Sequence, residues 1–76
     1  MRKLSNEEIT KNHVDTINQF NILKYLKTNI DIYSFDVYLY DRNTIKLIDK
    51  NNDTGYFTYE RQKVLFKDNI NHELER

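Results

Sequence analysis

"YSFDVYLYDRNTIKLI", residues 33 to 48, decides the fold. Tyr33, Phe35, Val37 and Leu39 alternate with Ser34, Asp36, Tyr38 and Tyr40, the period of two that marks a strand with one buried face. Asp41, Arg42 and Asn43 then supply a three-residue hairpin loop, with Asn43 expected at its left-handed position. Pairing Tyr40 with Thr44 sets Leu39 opposite Ile45 and Val37 opposite Leu47, all on one face. A slip of one residue would split those side chains between two faces, so the apolar pattern itself selects the register.

Working towards the C-terminus, "DKNNDTGYFTYE" (residues 49 to 60) places Asp49, Asn51, Asp53 and Glu60 at positions 1, 3, 5 and 12 of a calcium-loop template. The template also demands Gly at position 6 and helices on both sides. Thr54 holds position 6, Gly55 comes one residue late, and the flanks "TIKLI" and "YFTYE" are β-branched and aromatic. The segment therefore reads as a turn, and no metal is expected. Pairing Ile48 with Tyr56 brings Phe57 opposite Leu47 and Tyr59 opposite Ile45, extending the apolar face. "ERQK" (60 to 63) offers a further turn into a short fourth strand over Val64, Leu65 and Phe66; the alternative is one long third strand running through Phe66. Asp68 could begin a terminal helical turn, with Ile70 and Leu74 spaced i, i+4.

Towards the N-terminus the period changes to that of a helix. Ser5 and Glu8 have capping-box spacing, and Leu4 with Ile9 fits the hydrophobic staple. Ile9, His13, Ile17, Phe20 and Leu23 share one side of a helical wheel, with Leu26 at its edge. Val14, Ile22 and Tyr25 lie elsewhere on it. Either the helix bends or breaks near residues 12 to 16, or it touches something on a second side. Lys24 and Lys27 followed by Thr28 and Asn29 suit its C-terminus. The expected fold is α+β: an N-terminal amphipathic helix packed on one face of a three- to four-stranded antiparallel β-meander, with residues 1–76 as a single domain.

Composition narrows the chemistry. Among 76 residues there is no Cys, so neither a disulfide framework nor a thiolate metal site nor a thiol nucleophile is available. Twelve basic residues balance twelve acidic ones, and no segment is strongly basic, which counts against a duplex-DNA binder. No apolar run approaches the roughly 20 residues of a bilayer span, and no signal-peptide pattern opens the chain. The expectation is a soluble protein of the bacterial cytoplasm that does not engage the membrane. Enrichment in Asn, Lys, Ile, Asp and Tyr points to a low-GC genome, bacterial or viral. His13 and His72 lack a second ligand or nucleophile at a recognisable spacing, and the carboxylates are dispersed, so no catalytic residues and no cofactor are expected.

The opposite sheet face carries the functional expectation. Its rows would read Asp36–Ile48–Tyr56, Tyr38–Lys46–Thr58 and Tyr40–Thr44–Glu60. Tyrosine beside short polar groups suits recognition, because the ring supplies contact area at little rotamer cost and the hydroxyl hydrogen-bonds. The candidate binding residues are Tyr38, Tyr40, Lys46, Ile48, Tyr56 and Thr58. The preferred reading is a small non-catalytic protein-binding module that engages a larger host protein or protein–nucleic-acid complex. By class frequency alone, the role expected is a phage or mobile-element inhibitor of a host defence enzyme, of the anti-CRISPR type. Asp36, Asp41, Asp49 and Asp53 would give this region a mild negative bias, steering it to a basic protein surface. The rivals are a nucleic-acid-binding regulator, using the tyrosines to stack unpaired bases, and a homo-oligomer (a homodimer at its simplest) formed through an exposed edge strand.

Overall fold

A computed structural model describes residues 1 to 67. The chain runs as β1 (Arg2–Leu4), α1 (Asn6–Thr10), α2 (Ile17–Asn29), a 3₁₀ turn (Ile32–Ser34), β2 (Asp36–Asp41), β3 (Thr44–Ile48), β4 (Thr54–Glu60) and β5 (Lys63–Lys67). The five strands form one antiparallel sheet in the order β1-β2-β3-β4-β5. The α+β class holds. The sheet has five strands rather than three or four, and the helix that dominates the packing is mid-chain rather than N-terminal.

The break between the helices has a local cause. Ser5 caps α1 as expected, its hydroxyl accepting from the Glu8 amide at 3.1 Å while the Glu8 carboxylate accepts from the Ser5 amide at 2.9 Å. The chain then stops itself at Asn12, which has φ 57°: the Asn12 amide bonds the Ile9 carbonyl and the His13 amide bonds the Glu8 carbonyl. This is the Schellman pattern, with Asn in the left-handed position usually given to Gly. A second capping box restarts the helix, Thr16 accepting from the Gln19 amide and the Gln19 side chain accepting from the amides of Asp15 and Thr16. Lys27 holds the two pieces together, its ammonium donating to the carbonyls of Ile9 and Thr10 and to the Asn12 side chain.

Because α2 starts afresh at Ile17, its buried stripe is Gln19, Ile22, Leu23 and Leu26 rather than the predicted one. Ile17 is 70% exposed, His13 is exposed, and Phe20 is half-buried. Ile22, Leu23 and Leu26 pack with Leu4, Ile9, Ile32, Val37, Leu39, Ile45 and Leu47 into a core in which no side chain is more than 4% exposed. Each fully buried residue of this size contributes about 1.5–3 kcal/mol. The Leu4–Ile9 staple is part of that core.

Two registers differ from expectation. Val37 does pair with Leu47 and Leu39 with Ile45, but the register shifts between Leu39 and Asp41, so Asp41 rather than Tyr40 pairs with Thr44. The link is then the two-residue Arg42–Asn43, closed by the Asp41 carboxylate accepting from the Asn43 amide; Asn43 is not left-handed. Between β3 and β4 the pairing is displaced by two: Ile45 faces Phe57, Leu47 faces Gly55 and Ile48 faces Thr54. A two-residue displacement leaves every side chain on its predicted face, because strand side chains repeat every two residues.

The Asp49 carboxylate organises the shortened loop by accepting from the amides of Asn51 and Asp53, while Asn52 takes φ 67°. The stretch is a turn between strands, as expected. The predicted fourth strand is present as β5, and the alternative of one long strand falls because Arg61 and Gln62 (φ 52° and 65°) make a tight reversal. Tyr33 does not face inward: it lies in the 3₁₀ turn, 45% exposed, with its hydroxyl 2.8 Å from that of Thr10. The predicted helical turn from Asp68 lies outside the described residues.

Candidate recognition face of the sheet

Core-forming strand residues and the helices occupy one side of the sheet. Direct cross-strand partners share a face, so the pairings spell out the other. Its central row is Lys3–Tyr38–Lys46–Tyr56–Lys67, one residue from each of the five strands. On one side of that row lies Asp41–Thr44–Thr58–Leu65, with Tyr40 at the irregularity of β2. On the other lies Asp36–Ile48–Thr54.

The row is a line of alternating cations and rings. The Lys46 ammonium sits 5.9 Å from the ring centroids of both Tyr38 and Tyr56, within cation–π range of each. The Tyr40 ring meets Tyr56 edge to face, with centroids 5.0 Å apart and planes at 72°. That geometry suits the aromatic quadrupole and fixes the ring positions. Tyr40 is the most open of the three at 39% exposure; Tyr38 and Tyr56 are half-buried. Beneath them Thr44 and Thr58 place their hydroxyls 3.3 Å apart, the short side chains sinking below their longer neighbours.

All six predicted binding residues thus fall on one face, though with unequal access. Thr58 is buried, Tyr38, Lys46, Ile48 and Tyr56 are half-buried, and Tyr40 alone of the six is exposed. The row partners also differ from those expected, Tyr56 standing beside Lys46 rather than Ile48.

Lys3, Lys63 and Lys67 were missed, and they reverse the charge expected here. The face carries those lysines with Lys46 against Asp36, Asp41 and Glu60, and Lys3 reaches the Asp36 carboxylate at 3.3 Å with both side chains more than half exposed. Of the other aspartates expected to bias the region, Asp49 and Asp53 stand in the β3–β4 loop rather than on the strands, where the Asp49 carboxylate accepts from the Asn51 and Asp53 amides. The outer face is mildly basic.

The covered side offers two concavities. One, of about 270 Å³, is lined mainly by Ile30, Phe35, Leu47, Gly55, Phe57 and Phe66. The second, of about 410 Å³, runs between α2 and the β4–β5 hairpin past Tyr25, Tyr59 and Val64. Asp49 and Asp53 also line the first, and Lys24 and Thr28 the second. Among the described residues no group of three His, Cys, Asp or Glu side chains is placed to hold a metal, and no helix is long and apolar enough to cross a membrane. The Glu8 carboxyl is held below the usual range, first by the Ser5 amide and then by the Arg2 guanidinium at 2.7 Å. Both groups are solvent-exposed parts of the helix cap. Comparison with family models, with curated proteins and with solved structures gives no match.

Proposed function

We propose that the protein is a small non-catalytic binding module that docks its outer sheet face onto a larger protein or protein–nucleic-acid complex. One observation carries this reading: the helices and the apolar core lie on one side of the sheet, while the other presents three tyrosines and four lysines spread over five strands. Aromatic rings held by their neighbours offer contact area without further loss of rotamer freedom. Such a module acts by occupying a surface of its target, which is how the inhibitory role proposed for this chain would operate.

Site-directed photocrosslinking in cells of the source organism tests it. A benzophenone side chain replacing Lys46 or Leu65 on the outer face should give a discrete crosslinked species. The same group replacing Lys24 on the exposed side of α2 should give none. Crosslinks from position 24 alone would refute the assignment of the face.

A second reading, self-association through β5, is favoured by the exposure of Phe66, at 58%, on that edge strand. Light scattering over a concentration series distinguishes a monomer from a dimer joined in this way.

A further inference from the structure

The charge and shape of the outer face define what it would contact. We infer that the face binds single-stranded nucleic acid, with the phosphate backbone along the lysine row and bases against the tyrosines. This rests on the outer face being the recognition surface.

Three features support the assignment. The first is electrostatic complementarity: four lysines stand against three carboxylates on this face, Lys3 already paired with Asp36, and Lys46 makes no ion pair among the described residues. The Lys46 ammonium is held over two rings and keeps its charge available for a phosphate.

The second is spacing. Neighbouring strands lie about 4.8 Å apart, so Lys3, Lys46 and Lys67 follow one another at roughly 10 Å along a straight line. That line accommodates on the order of four nucleotides, the lower end of the site sizes of sheet-based single-strand binders.

The third is the shape of the surface. Base edges in a duplex are reached by an element inserted into a groove, and among the described residues no helix or arm projects from this face. A sheet bearing tyrosines instead suits bases that are already unstacked. Tyr40, the most exposed of the three rings and in edge-to-face contact with Tyr56, is the stacking platform.

A negatively charged protein surface would also meet the lysines, but only nucleic acid brings bases to stack on the rings. This separates the two ligand classes experimentally. Fluorescence anisotropy is measured with a labelled single-stranded oligonucleotide, the same strand with abasic sites in place of its bases, and the corresponding duplex, between about 50 and 200 mM salt. The intact strand should bind best, with log affinity falling against log salt at a slope of about −2 for three lysine contacts. Lys46→Gln should make the slope shallower by about 0.7. Tyr40→Ser, at a rim position whose replacement leaves the core untouched, should weaken binding roughly tenfold with the slope unchanged. Circular dichroism of each variant confirms that the fold is kept.

Absence of binding to the intact strand at the lowest salt would overturn the inference, as would equal affinity for the abasic strand or the duplex. If oligonucleotides fail while position 46 crosslinks to a protein, the outer face remains the recognition surface and nucleic acid is excluded as its occupant.

Discussion

A single amide side chain, that of Gln19, ties the main helix to the sheet. It is 3% exposed, accepts from the Asp15 and Thr16 amides, and donates to the Asp41 carbonyl at 2.7 Å, so every part of the buried amide is satisfied. Thr16 reinforces it by donating to the Arg42 carbonyl at 2.7 Å. Gln19→Leu keeps the volume but strands these backbone groups, and an unmet buried polar group costs about 1–3 kcal/mol. Urea denaturation should show a loss of about 2 kcal/mol with the m-value unchanged; a loss under 0.5 kcal/mol would mean that water replaces the amide freely. Gly55 acts by what it lacks. A Cβ there would lie 2.8 Å from the Phe66 ring, so the glycine makes room for that ring to cross from β5 towards β3. The sequence reading took Gly55 for an ordinary turn residue, because nothing local distinguishes a glycine that relieves a turn from one that admits a distant ring.

At the scale of elements, legibility follows the length of the repeating signal. The β2–β3 hairpin was readable because Val37, Leu39, Ile45 and Leu47 must share a face, which leaves one register. The Ser5–Glu8 cap was readable as a local pattern. The interruption after α1 is one of two alternatives at the level of sequence, although Thr16 and Gln19 repeat the same capping spacing; a wheel through residues 9 to 26 averages two helices of different phase into one stripe. The β1 strand spans three residues, Arg2 to Leu4, too short for any periodicity, and its pairing with β2 depends on helices that carry the chain back. With β1 unseen, Lys3 could not be placed beside Tyr38, and the charge of the candidate site came out with the wrong sign. The β4–β5 reversal offers an element-scale prediction. Gln62 adopts φ 65° without being glycine, a conformation that costs an L-residue about 1 kcal/mol. Gln62→Gly should raise stability by about that amount and the melting temperature by roughly 4–8 °C; a lower melting temperature would show that the side chain contributes more than the turn strain removes.

For the whole molecule, sheet order equals chain order, so most pairings close short loops. The exception is β1–β2, which joins Leu4 to Val37 only after both helices are in place. Contacts far apart in sequence form late because their loop-closure entropy must be met first. Leu4 is 3% exposed, and Leu4→Ala should cost about 2–3 kcal/mol. Stopped-flow kinetics should show that loss mainly as faster unfolding, with the folding rate little changed; an equal slowing of folding would place β1 in the folding nucleus.

The two-residue displacement between β3 and β4 has a consequence of its own. Lengthening or trimming the 49–53 connection by an even count transfers residues between loop and ladder without turning any of them over. An odd count must be absorbed within the loop itself, because inverting β4 would send Tyr56 into the interior and Phe57 out to water. The buried pattern, not the length of the connection, therefore keeps Tyr56 and Lys67 on the outer side of the sheet.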